Sequence, residues 1–429
     1  MFSKSLWLVA PISLIIASQG YGADADKKRE IVVDGKSIAG TEADLRACIA
    51  RACPPDEEIR AALAHAENQF IDGEYRDAKS TLYKTVGRNR KFGNDYPIEV
   101  SDLFRARSRV AEHLGEGDDF RLAVLDMRDT LRANLPENDA RAMVAQIEVG
   151  KSRSKLGYPR EALRIFADIA EKAEAAGHHR VAAYAKLRQY LIEYDMAVAG
   201  NAVGEGQRAL AGLRTLADLS RPGTEDLAMV AEVTLARLDR RSGSQDSTAA
   251  IIKRFAENGG VARPLLLTSE PVKLPPGRNL RSGTENLGGR IVDKGFKGAA
   301  VFGSTTLPML PGVAEDRWID VGFWINPNGL VSEIEILRSS GEIYWAKWVA
   351  DSIKSRIYAP LSMKGRDASP GFYMVERYSY TARYLGRDAT TGSRIATRSP
   401  NARIERLDIT PENYDQPLTT APLKLDTGS

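Results

Sequence analysis

The feature that most constrains the fold of this chain is an alternation of apolar and polar side chains on both sides of one Asn-Gly pair. Before the pair, one face of a two-residue period is strongly apolar, with Ile319, Val321, Phe323 and Ile325. Asn328 and Gly329 tolerate the positive φ angles that tight hairpin turns require. After the pair the alternation resumes, with Leu330, Ile334 and Ile336. The pattern predicts a β-hairpin.

A helix and a third strand are predicted after the hairpin. The apolar residues that follow fall at helical spacing and form one stripe: Ile343, Ala346, Val349 or Ala350, Ile353 and Ile357. Such a stripe would pack on the sheet, and Pro360 blocks continuation of the helix. Residues 372–384 alternate again and are rich in aromatics. The predicted order is β-β-α-β, and a generic module of this order is one interpretation.

This order and its motifs resemble the C-terminal domain of TonB, the energy transducer of Gram-negative bacteria. The matching positions are the V-x-F-x-I-x-x-x-G pattern, the Ser-Ser-Gly before the helix and the R-x-Y-x-P exit: Val321, Phe323, Ile325, Gly329, Ser339, Ser340, Gly341, Arg356, Tyr358 and Pro360. The likeness departs before the first strand, where Pro308 to Pro311 stand in place of the family's Y-P-x-x-A. The proline-rich rod of TonB is also missing.

The resemblance implies a periplasmic protein-recognition domain at residues 300–385. In that family, an extended peptide from an outer-membrane transporter pairs with the exposed edge of the sheet, which is β-strand addition. Carried over, this places the peptide-binding edge at residues 372–381, with Val375, Arg377 and Tyr378 near its middle. The same edge would also allow a homodimer.

The first 25 residues have the layout of a signal peptide. A positive start is followed by an apolar run over residues 6–17 and an A-x-A pattern at Ala23. The run is too short for a hydrocarbon core of about 30 Å, and Pro11 lies in its middle. We therefore expect a periplasmic protein whose signal peptide, residues 1–25, is cleaved. The alternative is an uncleaved inner-membrane anchor, which energy transduction of the TonB type would need.

Residues 26–257 are predicted to form an all-α repeat region. They are rich in Ala, Leu, Glu and Arg, and turn glycines recur every 42 or 43 residues, at Gly73, Gly115, Gly157, Gly200 and Gly243. A Gly-x-Tyr followed by Ala, as in Gly73, Tyr75 and Ala78, resembles the tetratricopeptide repeat, although that repeat usually has about 34 residues. The resemblance implies a TPR-like α-solenoid with a broad face for protein partners.

The predicted fold class is therefore α+β, with a helical-repeat solenoid followed by a small β-β-α-β domain. Residues 258–299 are rich in Pro, Gly, Ser and charge, and are expected to form a linker from which short pieces such as 264–267 could add strands. Residues 386–429 are expected to form a polar tail. Within the tail, the apolar alternation from Ile404 to Ile409 could form one strand.

The two cysteines, Cys48 and Cys53, are only five residues apart. Residues at that spacing on one continuous helix do not face each other, but Pro54 and Pro55 would let the chain turn and bring them together. A structural disulfide suits an oxidising compartment. Two buried free thiols, or a redox or metal role, are the alternatives.

Charge and motifs favour binding over catalysis. The chain carries 60 Lys+Arg against 57 Asp+Glu, and this balance of +3 indicates no nucleic-acid partner. No phosphate-binding loop, nucleophile elbow or zinc-protease motif occurs in it. We therefore expect no enzyme activity, no cofactor, no metal site and no small-molecule substrate. The predicted function is a periplasmic protein-binding adaptor; a TonB-type energy transducer is the alternative.

Overall fold

The computed structural model describes residues 36–200, 202–219, 221–241, 246–272, 307–308, 317–341, 343, 345–362, 371–385 and 397–410. The predicted signal peptide, most of the predicted linker and residues 386–396 and 411–429 of the predicted tail lie outside these residues. Among the described helices, none combines the length and apolar character needed to cross a bilayer.

The described residues up to 257 form eleven α-helices, and each helix packs on the next. Their bounds are α1 Ile38–Ala50, α2 Pro55–Ile71, α3 Tyr75–Asn89, α4 Pro97–His113, α5 Gly117–Asn134, α6 Ala140–Lys155, α7 Pro159–Ala175, α8 His179–Ala199, α9 Val203–Ala217, α10 Glu225–Arg241 and α11 Asp246–Glu257. A short 3₁₀ turn, Arg90–Phe92, follows α3. Helices α2 to α11 form five successive pairs, so the predicted helical-repeat region is confirmed.

The turn glycines separate the two helices of a pair. Gly73, Gly115 and Gly157 have φ angles of +87°, +71° and +88°, which an L-residue adopts only at a cost. Each ends the first helix of a pair and lets the chain reverse. Gly200 lies at the equivalent turn but has a φ of −93°. Gly243 lies outside the described residues.

The first helices of the pairs, α2, α4, α6, α8 and α10, form an inner layer. Neighbouring first helices contact one another, as in α2 with α4 and α8 with α6 and α10. Every residue of α4 is at least partly buried, whereas α3 exposes residues on every turn. The second helices, α3, α5, α7, α9 and α11, therefore carry the more solvated outer side.

The two cysteines lie at disulfide distance, so the predicted pairing is confirmed. Cys48 and Cys53 have Cα atoms 5.2 Å apart, within the usual range for a disulfide. Helix α1 ends at Ala50, and Ala52 has a φ of +52°, which turns the chain back toward Cys48. Pro55 then begins α2 at the position where a proline is best tolerated. The link ties the turn between α1 and α2.

The remaining described residues form strands and one helix. Their bounds are β1 Leu266–Thr268, β2 Leu307–Pro308, β3 Arg317–Ile325, β4 Val331–Ser339, α12 Ala346–Lys354, β5 Ile357–Tyr358, β6 Phe372–Leu385 and β7 Thr397–Asp408. The predicted hairpin is β3–β4, with Gly329 at a φ of +82° in its turn. The predicted β-β-α-β order is present as β3, β4, α12 and β6.

The main sheet is antiparallel, with strand order β2-β7-β6-β3-β4. One face packs on α12 through Phe323, Val349 and Tyr378, all at most 2% exposed. The opposite face carries Trp318 and Arg377, and it meets the turn between α2 and α3. The sheet is therefore a middle layer between α12 and the helical repeats.

The sheet region contacts both ends of the helical array. Beyond its contact with α2 and α3, it reaches α10 through β1, whose carbonyls at Leu266 and Leu267 accept hydrogen bonds from Arg237. β1 also pairs with β5, and Leu267 and Ala359 share a buried cluster with Phe255 of α11. The strand-bearing part thus bridges the first and last helix pairs and packs with them in one compact unit.

These contacts change the predicted boundaries. The predicted linker, 258–299, contains β1, as the apolar piece at 264–267 suggested. The predicted domain end at 385 is wrong, because β7 adds a full strand to the sheet from within the predicted tail, 386–429. Ile404 and its neighbours pair with β6, so the strand expected there is confirmed. The rest of both segments lies outside the described residues.

Candidate functional site

The three residues predicted to form a peptide-binding edge lie in the middle of the sheet. β6 pairs with β3 on one side and β7 on the other. Val375, Arg377 and Tyr378 are 5%, 0% and 2% exposed. The prediction that residues 372–381 form the edge strand is therefore wrong. The physical reason is that β7 pairs with β6 along the backbone edge at which the resemblance places a peptide.

Arg377 instead anchors the sheet to the helical repeats. Its Nε donates to Asp320 Oδ1 at 2.6 Å and its Nη2 to Asp320 Oδ2 at 2.9 Å. Its Nη1 donates to the carbonyl of Phe70 at 2.9 Å, at the end of α2. The guanidinium also stacks over the ring of Trp318, 4.0 Å from its centroid. Burial opposes the charged form, but the hydrogen bonds and charge of Asp320 together with Tyr75 outweigh it, and the pKa of Arg377 is raised.

A second buried network explains the R-x-Y-x-P motif on the other face of the sheet. Arg356 Nη1 donates to both carboxylate oxygens of Glu376 at 2.9 Å and to the hydroxyl of Tyr358 at 3.1 Å. Tyr378 donates to Glu376 Oε2 at 2.6 Å. Burial raises the pKa of the Tyr358 hydroxyl to about 12. Tyr378 is thus a core residue that completes an internal network.

In the described part of the chain, the main sheet has the two-residue β2 at one edge and the nine-residue β4 at the other. Among the described strands, β4 pairs within that sheet only with β3, and its first flanking residue, Leu330, makes a single bridge to Ile357. Leu330, Ile336 and Ile343 are 50%, 43% and 38% exposed. Exposed apolar side chains beside unpaired backbone groups are typical of an interaction edge. Register shifts and the positive φ of Glu333, +49°, bend this edge locally.

A network of charges on the inner helical layer was not predicted. Arg109 of α4 contacts Glu112 at 3.4 Å and Glu148 of α6 at 3.2 Å. Lys155 contacts Glu112, and Lys151 contacts Glu148 at 3.1 Å. In sequence, these residues have the i, i+3 and i+4 spacing of any solvated helix face. Only the packing of the inner layer shows that Glu112, Glu148 and Lys151 are largely withdrawn from water, with side chains 8%, 15% and 4% exposed.

Glu112 makes this network sensitive to acid. Burial alone would raise the pKa of its carboxyl, but Lys155 and Arg109 lower it to about 2 from 4.5. A carboxyl with a lowered pKa stabilises the fold above pH 4.5, and this contribution is lost as the pH falls from 4.5 to about 2. The shift corresponds to about 3 kcal/mol at most.

We expect Glu112→Gln to lower the free energy of unfolding most at neutral pH, with the gap to the parent chain closing toward pH 2. Urea unfolding of both chains across this range measures the gap. Glu67→Gln, at an exposed position of α2, is the matched control and should differ little from the parent at any pH. A gap for Glu112→Gln that stays constant between pH 7 and pH 2.5 would contradict the assigned pairing.

Comparisons with known proteins give weak likenesses to helical repeats. No protein-family profile matches the chain, and no curated protein matches it in sequence. Nearly identical TPR-like repeats from a Podosopora anserina protein described as a kinesin light chain align with a TM-score of 0.35 and 12% identity, over 42% of this chain and 84% of theirs. BtubC (BKLC) from P. vanneervenii aligns with a TM-score of 0.40 and 14% identity, over 56% of this chain and 97% of its own.

TM-scores and sequence identities this low support no inference about function. The helical-repeat architecture of this chain follows from its own recurring helix pairs. The TonB likeness receives no support from these comparisons and stays a prediction.

Proposed function

We propose that this protein is a protein-binding adaptor whose sheet receives an extended segment of its partner at the β4 edge. The observation that carries the proposal is the edge position of β4, which contains the exposed Ile336 and is flanked in sequence by the exposed Leu330 and Ile343. We propose binding rather than catalysis, because the β4 edge offers backbone groups and apolar side chains as its means of interaction.

The chemistry of the edge suggests the type of partner segment. Main-chain hydrogen bonds would supply affinity, and pockets for alternate side chains would supply specificity. Ile336 pairs with Val321, so its side chain lies on the face of the sheet that packs on α12. An apolar residue of the partner strand beside Ile336 would extend the row of apolar side chains on that face. A partner strand with apolar residues at alternate positions fits this edge.

The helical repeats support the proposal by holding the sheet in place. Contacts at the α2–α3 turn and at α10 fix the strand-bearing part at two separate points. A preorganised edge loses less conformational entropy on binding than a mobile one. The repeats also offer their own surface to protein partners, as helical-repeat arrays do.

Peptides selected against the full chain from a library of extended sequences provide the test. We expect Ile336→Lys to weaken their binding by at least about tenfold, because a lysine at a sheet edge opposes strand addition. Leu122→Lys is the matched control, since Leu122 is 40% exposed on α5, and it should change the affinity by less than about twofold. Fluorescence anisotropy measures both. Equal binding to the two variants would overturn the β4 assignment.

We also propose export to the periplasm, where an outer-membrane transporter would be a partner of the kind that the TonB likeness suggests. The support is the signal-peptide layout of residues 1–25. Intact-mass measurement of the chain from the periplasm of a Gram-negative host tests this proposal. A mature chain that begins near Ala23 is expected, and a full-length, membrane-bound chain would favour the anchored energy transducer instead.

A further inference from the structure

The charged side chains that β4 leaves exposed are mainly acidic. Glu333 and Glu335 are exposed, and neither forms an ion pair with another residue in the described part of the chain. Arg338, the only basic residue of the strand, already contacts Asp320 Oδ2 at 2.8 Å and Asp72 Oδ1 at 3.1 Å. A segment that adds to this edge therefore meets negative charge that no cation of the described residues offsets.

Glu335 and the exposed Ile336 lie on opposite faces of the sheet. Ile336 pairs with Val321, on the face that packs on α12, whereas Glu335 pairs with Gly322. Successive side chains of a strand point to opposite faces, so Glu335 lies on the face that carries Arg377. A strand added to β4 would thus present one residue to an apolar row and the next residue to a carboxylate.

Two aromatic side chains accompany Glu335 on this face. The hydroxyl of Tyr373 donates to Oε1 of Glu335 at 2.7 Å, and its ring centroid lies 5.0 Å from that of Trp324. The hydroxyl passes over Gly322, where a Cβ would lie only 2.0 Å from it. A carboxylate beside aromatic rings is an environment that binds a guanidinium or an ammonium, through charge-assisted hydrogen bonds and cation–π contact.

This part of the face lies away from the contact with the helical repeats. The described contacts of β3 and β4 with the repeats run through Trp318 and Arg338. Trp324 is further along β3 than Trp318 by roughly 20 Å, at the usual rise of a strand. Trp324 and Tyr373 are only half-buried. The described repeats therefore leave room for a partner side chain at this end of the sheet.

We propose that the β4 edge binds an extended segment in which a basic residue, arginine above all, stands between apolar residues. The apolar residues would lie beside Ile336, and the basic residue would pair with Glu335 next to the ring of Tyr373. Arginine suits the site best, because its planar guanidinium can bind a carboxylate and stack on a ring at once. This inference rests on the function proposed above and names the chemistry of the partner segment.

Charge also selects among the possible occupants of the edge. A second copy of β4 would bring its own Glu333 and Glu335 to the same edge, and like charges on adjacent strands are destabilising. The chain as a whole carries a net charge of +3, so its overall field does not attract a basic segment. A preference for arginine would therefore come from the local charge of β4.

Fluorescence anisotropy with two labelled peptides tests the proposal on the full chain. One peptide alternates valine with arginine over nine residues, the length of β4, and its partner has glutamine at each arginine position. We expect the arginine peptide to bind at least about tenfold more tightly, because it gains charge-assisted hydrogen bonds. Raising the ionic strength from about 0.05 M to about 0.3 M should reduce this preference, since the charges are exposed.

One variant and one control assign the preference to a residue. Glu335→Gln should remove most of the preference for the arginine peptide and leave the affinity for the glutamine peptide unchanged. Asp351→Asn removes another exposed carboxylate, on α12, and should change neither affinity. Equal binding of the two peptides to the parent chain, or a preference that Glu335→Gln leaves unchanged, would overturn the proposal.

Tyr373→Phe tests the positioning of the carboxylate. The variant keeps the ring but removes the donor to Glu335. It should reduce the preference for arginine by about threefold, the effect of one neutral hydrogen-bond donor, while the glutamine peptide binds as before. An equal loss of affinity for both peptides would contradict this role of Tyr373.

Ile336→Lys separates a failure of this inference from a failure of the proposed function. The side chains of the glutamine peptide carry no charge, so its weaker binding to this variant reports strand addition at β4 alone. If that binding is lost but the parent chain does not prefer arginine, the β4 edge is the binding site and the inference about its partner is wrong. If Ile336→Lys changes neither affinity, both proposals fail.

Discussion

Replacing Arg377 with methionine is expected to lower the free energy of unfolding by about 3–5 kcal/mol, the usual cost of breaking a buried ion pair. Methionine removes the charge but keeps much of the apolar stem. Asp320, only 1% exposed, would then keep its negative charge in the core without the guanidinium that now binds both of its oxygens. The bond to the Phe70 carbonyl, which joins the sheet to α2, would also be lost. Guanidinium chloride unfolding measures the change.

Arg338 provides the matched control for this experiment, because it contacts the same carboxylate from the surface. Its side chain is 44% exposed and lies 2.8 Å from Asp320 Oδ2. Arg338→Met should cost only about 0–1 kcal/mol, as exposed pairs do. The double variant Asp320→Leu with Arg377→Met should recover part of the loss, because it leaves no buried charge unpaired. If Arg377→Met costs no more than Arg338→Met, the central pair does not anchor the sheet.

Gly73→Ala is expected to destabilise the chain by about 2–5 kcal/mol through two separate effects. A φ of +87° costs an L-residue about 1–2 kcal/mol. A Cβ at this position would also lie 2.2 Å from Nε1 of Trp318, so the indole must shift, at a further cost of about 1–3 kcal/mol. The strain falls on the contact between the α2–α3 turn and β3. Hydrogen exchange should therefore accelerate in β3 more than in α12.

Gly157→Ala separates the two effects. Gly157 occupies the equivalent turn between α6 and α7 with a φ of +88°, and a Cβ there would meet nothing within 4 Å. Its replacement should therefore carry the backbone cost alone, about 1–2 kcal/mol. Equal losses of stability for the two variants would show that Trp318 accommodates the methyl group and that Gly73 acts only as a turn residue.

The parts of the fold that could be predicted depend on neighbours in sequence. Phe323 and Ile325 are fully buried, as their two-residue period indicated, and Gly329 makes the turn that its type favours. The recurring glycines marked the helix pairs because a left-handed turn residue is a local requirement. Cys48 and Cys53 could be paired in advance because only a short turn separates them.

The function of Arg377 could not be predicted in this way. The resemblance to TonB placed it at a peptide-binding edge, and its own position in an alternating strand did not reveal that it is buried. Its partner Asp320 is 57 residues away, and the contact of Tyr75 with Ser379 joins residues 304 apart. Pairings over such distances leave no local pattern. The same holds for β7, whose pairing with β6 removed the edge that the resemblance implied.

The sequence alone determined the local elements: a helical array divided by glycines, a hairpin, a following helix and a further strand. Each depends on side-chain periodicity and turn chemistry, which act between residues a few positions apart. Only the tertiary structure decided which strand edge is open, which charges are buried, and that the sheet joins both ends of the array. Those properties depend on contacts between distant segments, where burial and pairing outweigh the preference of any single residue.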